Sequence, residues 1–159
     1  MRMRTMFVFS NLIGVLTVAV ALLAQAQGPW FGTWKLNVAK SKYNPGPAAK
    51  SQTSKLEPWE GGFKNTTDTV TATGETRHIE YTGKFDGKDN VVKGNPDADS
   101  NTYTRIDDHT YQVVAKKGGK ATVTSRIVIS ADGKTRTQTQ TGKNPQGQTV
   151  NNTLVFDRQ

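Results

Sequence analysis

Two histidines and a short acidic cluster are the first residues to consider for metal binding or acid–base chemistry. His78 falls in a run that alternates polar and apolar residues, and His109 directly follows Asp107 and Asp108. Neither histidine belongs to a His-x-His or His-Glu-x-x-His pattern, and the chain contains no cysteine. Zinc sites are built from three or four such ligands. The acidic pair is typical of a turn, so the sequence predicts no metal site and no cofactor.

Serine is the remaining candidate nucleophile. A catalytic serine needs a base within reach and a third group that orients the base. No serine after residue 27 lies in a Gly-x-Ser-x-Gly turn. The glycine pairs at 61–62 and 118–119 precede predicted strands rather than helices, so a phosphate-binding loop is not expected. The sequence therefore predicts a protein that is not an enzyme, and an enzyme built on the same scaffold is kept as a third alternative.

Arginine beside aromatic residues is a combination suited to small-molecule binding. A guanidinium group binds a carboxylate through two parallel hydrogen bonds. In two alternating runs an arginine shares its face with a tyrosine, Arg77 with Tyr81 and Arg105 with Tyr103. The alternative for each arginine is a solvated side chain at a strand end. The predicted ligand-binding residues are Arg77, Tyr81, Phe85, Tyr103, Arg105 and Tyr111.

Strands must position these residues, because no apolar period of three and four residues follows residue 27. Alternating runs bounded by turn residues predict about ten strands instead. They cover residues 31–37, 52–58, 63–72, 76–85, a short stretch near 91–92, 102–106, 111–116, 121–130, 134–141 and 149–156.

The connections between these runs are short and carry turn residues. Asp86-Gly87, Gly118-Gly119 and Asp132-Gly133 favour the positive φ angles of tight hairpin turns. Asn-Pro pairs at 44–45, 95–96 and 144–145 fall between strands, where proline does no damage. The longest connection, 38–50, is predicted to be extended rather than helical. Strands joined in this way predict an antiparallel meander.

The polarity of the strands favours a barrel over a sandwich. In a packed sandwich each strand presents one strongly apolar face. Residues 134–141 instead offer threonine on one face and Lys134, Arg136, Gln138 and Gln140 on the other. A closed barrel with a partly wet cavity accommodates such strands. We therefore predict an all-β protein with a single antiparallel up-and-down barrel, and keep a loose sandwich as the alternative.

The first 26 residues differ from the rest of the chain. A start containing Arg2 and Arg4 leads into an almost wholly apolar run over 7–24, and Ala24 and Ala26 occupy the positions of a cleavage site. This pattern predicts a secretory signal peptide over 1–26; a membrane anchor is the alternative. The barrel domain then covers 27–159. We expect it to be secreted or periplasmic and not to span a membrane after cleavage.

The charge balance is basic. The chain has 21 Lys and Arg against 13 Asp and Glu, and two of the basic residues precede residue 27, which leaves a net charge of +6 for the remainder. A basic surface outside the cytoplasm is suited to anionic lipid or polysaccharide. Nucleic-acid-binding surfaces interleave aromatic residues with the basic stripe, and that pattern is faint here. An envelope surface is therefore a predicted partner, and nucleic acid is not.

The motif over 31–36, Phe-Gly-Thr-Trp-Lys-Leu, opens the predicted meander. It resembles the Gly-x-Trp opening of the calycins, the superfamily of lipocalins and fatty-acid-binding proteins, and suggests a secreted bacterial lipocalin-like group. The resemblance implies that Gly32 permits a close approach at the closed end of a lipocalin-like barrel. It also implies that Trp34 plugs that end and that Arg158 packs over Trp34.

The same resemblance implies a function, the non-covalent binding of a small apolar or amphipathic molecule in the barrel cavity. The alternative is a structural or envelope-interaction module. Ten strands suit the fatty-acid-binding branch, but residues 38–50 lack the helical hairpin of that branch. Its last strand also holds a carboxylate with inward Arg and Tyr, and the matching positions here are Leu154 and Phe156. No fatty-acid site is therefore inferred.

Overall fold

The structure, a computed structural model, describes residues 28–159. The predicted signal peptide over 1–26 lies outside the described residues. The described part contains ten strands, in which side chains point alternately inward and outward. Their bounds are β1 Gly32–Leu36, β2 Ser51–Trp59, β3 Gly62–Val70, β4 Thr76–Gly83, β5 Asp86–Val91, β6 Ser100–Arg105, β7 Thr110–Lys117, β8 Lys120–Ile129, β9 Thr135–Lys143 and β10 Thr149–Arg158.

The ten strands form one antiparallel sheet that curls into a nearly closed barrel. Their order is β4-β3-β2-β1-β10-β9-β8-β7-β6-β5, so the first and last strands of the chain pair in the middle of the sheet. Trp34 is the register partner of Arg158 in that ladder. The gap lies between β4 and β5, which are neighbours in the chain but belong to opposite edges of the sheet. The all-β barrel predicted from the sequence is confirmed.

One predicted turn is wrong. Asp86-Gly87-Lys88 was expected to make a hairpin turn, but these residues belong to β5, which pairs with β6. The register shifts between Asp86 and Asp89, and Gly87 has a φ of 71°. The positive φ of this glycine therefore serves a β-bulge, which needs the same backbone freedom as a tight turn.

The long connection after β1 is extended over most of its length, as predicted. It begins with a single 3-10 turn, Val38–Lys40, which the sequence analysis did not predict. The side chain of Asn37 caps this turn, because its Oδ1 accepts a hydrogen bond of 3.1 Å from the Lys40 backbone N–H. The segment then returns to the sheet through a bridge between Lys42 and Thr153.

The apolar core is concentrated at one end of the barrel. Rings of Trp30, Phe63, Phe85, Tyr103 and Tyr111 contact one another there, with centroid separations from 4.4 Å for Trp30 and Tyr111 to 6.5 Å for Phe85 and Tyr103. Edge-to-face contacts dominate, which suits the charge distribution of aromatic rings. Burial of this much aromatic surface stabilises a chain that is otherwise rich in threonine and asparagine.

Arg158 seals the same end. Its guanidinium carbon lies 4.3 Å from the centroid of the Trp34 ring, which is fully buried. Its nitrogens donate to the backbone carbonyls of Pro29 at 2.6 Å, Phe31 at 2.6 Å and Gly133 at 2.5 Å. A single side chain thereby joins the segment before β1, the β8–β9 turn and the end of β10.

Candidate functional site

A cavity of about 250 Å³ lies inside the barrel beyond the aromatic core. Alternate residues of each strand face it, because side chains of a strand point to opposite faces in turn. Its apolar wall includes Trp30, Leu56, Val113 and Ile127. Most of the remaining wall is polar and uncharged: Gln52, Ser54, Asn65, Thr67, Thr69, Asn101, Ser125, Gln138 and Gln140. The interior is therefore far more polar than that of an ordinary apolar core.

Arg136 is the charged group of this cavity. It projects inward from β9 and is only 5% exposed. Its guanidinium carbon lies 4.2 Å from the centroid of the Phe156 ring and 5.5 Å from that of Trp34. Cation–π contacts of this kind hold an arginine head group in place. Its Nε is buried and has no hydrogen-bond partner among the described residues.

No carboxylate of residues 28–159 forms an ion pair with Arg136. Burial lowers the pKa of Arg136 to about 10, so the guanidinium is still charged at neutral pH. The nearest phenols, Tyr81 and Tyr103, hydrogen-bond to each other through their hydroxyls. Burial raises the pKa of both phenols, so they stay neutral and supply no counter-charge.

Three buried side-chain atoms of the described residues lack a hydrogen-bond partner, and all three belong to residues that line this cavity. They are the donors Trp30 Nε1 and Arg136 Nε and the acceptor Asn101 Oδ1. Buried polar groups in folded proteins are almost always satisfied, by protein, water or ligand. The three unsatisfied groups therefore leave hydrogen-bonding capacity for water or a ligand at this cavity.

Other polar groups of the wall are already fixed by hydrogen bonds. Ser54 Oγ donates to Asn65 Oδ1 at 2.9 Å, and Asn65 Nδ2 donates to Thr67 Oγ1 at 3.0 Å. On another part of the wall, between the adjacent strands β8 and β9, Gln138 Nε2 donates to Ser125 Oγ at 3.1 Å. These bonds hold the side chains in defined rotamers, so the polar wall is preorganised.

A second cavity of about 320 Å³ adjoins the first, away from the aromatic end. The two share four lining residues: Asn95, Ala115, Ser125 and Gln140. The outer cavity is bounded by residues from all three Asn-Pro connections, including Pro45, Asn95 and Pro145. The three dipeptides that stood out in the sequence therefore meet at the mouth of the barrel.

The sequence-predicted ligand residues divide into three groups. Tyr81 and Tyr103 line the cavity. Phe85 and Tyr111 pack around Trp30 in the aromatic core instead.

Arg77 and Arg105 lie outside the cavity. Arg77 donates to Glu75 at 3.1 Å, and Arg105 donates to Asp108 at 2.7 Å, both on the surface. Each arginine lies near an end of its strand, and the cavity does not extend that far along the barrel. Neither arginine lines the cavity, whereas Arg136, which the sequence analysis did not select, does.

Sequence reasoning missed Arg136 as a site residue. The sequence analysis found both faces of this strand polar and did not decide which faces inward; the face with Arg136 is the inward one. Arg136 is the register partner of Phe156, and Gln138 is the partner of Leu154. Directly paired residues of antiparallel strands share a face. The inward Leu154 and Phe156 of β10 were therefore the signal that could have identified Arg136.

The histidines take part in local structure. His78 Nδ1 lies 2.6 Å from Asp68 Oδ1 on the outer surface, and His109 Nδ1 lies 3.1 Å from the carbonyl of Ile129. The described part of the chain holds no group of three or more His, Asp or Glu arranged to bind a metal. Residues 28–159 also contain no helix with the length and apolar character needed to cross a membrane.

Comparison with solved structures finds a likeness in fold. No family model and no curated protein matches the chain. The chain is similar to the crystal structure of zebrafish ileal bile acid-binding protein complexed with cholic acid, with 12% identity and a TM-score of 0.49. The match covers 82% of this chain and 99% of that one. The ten antiparallel strands agree with the barrel that the sequence predicts.

Proposed function

We propose that this protein is a non-enzymatic binding protein that holds a small molecule with an anionic group inside the barrel. The single observation that carries the proposal is Arg136, a guanidinium that is 5% exposed, faces the cavity and forms no ion pair within residues 28–159. A carboxylate of the ligand is the group that such an arginine binds best, through two parallel hydrogen bonds.

The energetics support this assignment. A buried charge without a partner is strongly unfavourable. The fold tolerates that cost here, although a methionine or leucine would fill the same space without it. An anion that enters the cavity replaces lost hydration of the guanidinium and gains a charge-assisted interaction in a medium of low dielectric constant. The cost of burying Arg136 is therefore recovered on binding.

The rest of the cavity suits an amphipathic molecule. The apolar side chains near the closed end, Leu56, Val113 and Ile127, offer contact to a less polar part of the ligand. Tyr81 and Tyr103 offer hydroxyls beside the arginine. We propose reversible capture through the mouth formed by the Asn-Pro connections, in a secreted or periplasmic setting that the pattern over residues 1–26 supports.

The test is to identify what the protein carries. The full chain is expressed and purified, and the product is extracted under denaturing conditions for small-molecule mass spectrometry. We expect an acidic compound at close to one per protein. Arg136→Met should lose it, whereas Arg126→Met, which removes an exposed arginine of the neighbouring strand β8, should keep it. An empty wild-type protein that binds no added acid would overturn the proposal.

A second candidate function is contact with anionic envelope lipid or polysaccharide. It is favoured by the excess of basic residues, which gives the part after residue 26 a net charge of +6. Such contact is electrostatic and weakens as salt is added. Cosedimentation with vesicles containing an anionic phospholipid, at low and high salt, tests it. Binding that is equal at both salt concentrations would contradict it.

A further inference from the structure

We infer that the ligand held by Arg136 is a hydroxylated acid, a small anion that carries several alcohol groups as sugar acids do, and not an acid with a plain alkyl chain. This inference rests on the proposed function and specifies its ligand class. Its basis is the unsatisfied acceptor on Asn101, the polar wall and the size of the cavity.

Asn101 supplies the first argument. Its Oδ1 is buried beside the cavity and forms no hydrogen bond, next to the hydroxyls of Tyr81 and Tyr103, while the unsatisfied atoms of Arg136 and Trp30 are donors. A complementary ligand therefore presents acceptors to the two donors and a donor to Asn101. A carboxylate satisfies Arg136, but an alkyl acid that is ionised has no hydrogen to give. An alcohol group both donates and accepts, so a hydroxylated acid satisfies all three positions.

The polar wall supplies the second argument. Glutamine, serine, asparagine and threonine side chains from β2, β3, β8 and β9 face the cavity. Several of these groups already hydrogen-bond one another, but an alkyl chain gives nothing to their remaining donors and acceptors, at about 1–3 kcal/mol for each one left unpaired. Alcohol groups both donate and accept, so they can pair with donors and with acceptors of the wall. The wall therefore disfavours alkyl chains, which leave polar groups unpaired, and favours alcohol groups, which form hydrogen bonds with them.

The size of the cavity supplies the third argument. The inner cavity beside Arg136 holds about 250 Å³, below the range of roughly 300–1,000 Å³ that is typical for drug-sized ligands, and it adjoins the outer cavity of about 320 Å³. The closed end is blocked by Trp34 and Phe63, both with no exposed surface. A long chain has no room to extend in that direction. A compact molecule of the size of a monosaccharide acid fits these limits.

The test compares three probes on the full chain by isothermal titration calorimetry. Sodium D-glucuronate carries both the charge and the alcohol groups, sodium octanoate carries the charge alone, and D-glucose carries the alcohol groups alone. We expect glucuronate to bind at least tenfold more tightly than either of the others. Octanoate binding as tightly as glucuronate would overturn this inference and leave the proposed function standing.

Absence of binding by all three probes would also overturn the inference. The proposed function is decided separately, because the extraction experiment reveals a carried acid of any chemistry. An extracted fatty acid would support the proposed function and contradict the ligand class inferred here.

A variant pair tests the role of Asn101 directly. Asn101→Leu removes the acceptor at similar volume, and we expect at least a tenfold loss of glucuronate affinity with little change for octanoate. Asn151→Leu makes the same exchange on the exposed face of β10 and should change neither. An equal loss of both probes in Asn101→Leu would show a general structural role and contradict the inference. Circular dichroism checks that both variants fold.

Discussion

Gly32 provides the space in which the guanidinium of Arg158 lies. A methyl group built on Gly32 would overlap Nη1 of Arg158, the nitrogen that donates to the carbonyl of Phe31. Gly32 also has a φ of 130°, which is unfavourable for any residue with a Cβ atom. The Gly-x-Trp motif thus leaves one position empty so that an arginine from the other end of the chain can fill it.

Gly32→Ala should therefore destabilise the protein by about 2–4 kcal/mol, from backbone strain and from displacement of Arg158. In the background of Arg158→Ala the same change should cost only about 1–2 kcal/mol, since the strain alone remains. Urea unfolding of the four proteins measures the coupling. Gly147→Ala is the matched control, because Gly147 has a φ of 80° and no neighbour within 4 Å. Additive costs would contradict the steric explanation.

Arg136→Met should stabilise the ligand-free protein by about 1–3 kcal/mol while abolishing the binding of acids. The charge without a counter-ion is removed, and a side chain of similar length keeps the space filled. Loss of the cation–π contact with Phe156 offsets part of the gain. Denaturant unfolding and calorimetric titration provide the two measurements, with Arg126→Met as the control. A destabilised Arg136→Met protein would mean that the arginine serves the fold and not the ligand.

Alkaline unfolding should be governed by the buried phenols. Burial raises the pKa of Tyr81 and Tyr103 in the folded protein, so each contributes stability that is present below about pH 10 and is lost as pH rises further. The pKa of Arg136 is lowered instead, so its loss of a proton above about pH 10 acts in the opposite direction. The contribution of the phenols is therefore measured by removing them while Arg136 is kept.

The double variant Tyr81→Phe, Tyr103→Phe should consequently lose less stability between about pH 9 and 11 than the unaltered protein. Urea unfolding at several pH values measures this difference. Tyr43→Phe should have a smaller effect, because Tyr43 is only half-buried although its pKa is also raised by burial. An identical pH dependence for the double variant and the unaltered protein would rule out this account.

Arg77→Ala and Arg105→Ala should leave ligand affinity within roughly twofold and stability within about 1 kcal/mol. Both arginines are in exposed ion pairs, with side-chain exposures of 38% and 50%, and such pairs contribute little. The measurement is calorimetric titration with the acid recovered from the protein. A tenfold loss of affinity in either variant would return that arginine to the binding site.

The fold was predictable because period-two alternation is a local signal. The spacing of Ile79, Tyr81 and Phe85 predicts that they share a face, and this can be read from the one segment without knowing its neighbouring strands. The gap between β4 and β5 was not predictable in this way, because Asp86-Gly87 suits a hairpin turn and a β-bulge equally well. Which of the two forms depends on whether the sheet closes between β4 and β5, a property of the whole barrel.

The site was harder to predict because its central residue breaks the usual relation between polarity and exposure. Arg136 and Gln138 look like an outward face, and only their register with Phe156 and Leu154 turns them inward. Arg77 and Arg105 share parity with inward tyrosines, but parity does not say how far along the strand the cavity extends. The strand register and the extent of the cavity along each strand both depend on pairing between distant segments. A single sequence gives little information about such pairing.

The pairing of β1 with β10 has a consequence for the order in which the chain folds. Strands β1–β4 and β5–β10 are two meanders whose ladders join near neighbours in the sequence, and such local ladders form early. The β1–β10 ladder joins residues about 120 positions apart, as in the bond from Asn37 to Asp157. This ladder contains three register pairs, and forming it carries the largest entropic cost of loop closure in the sheet. Docking of the two meanders should therefore be the rate-limiting event, and the cavity should exist only after it.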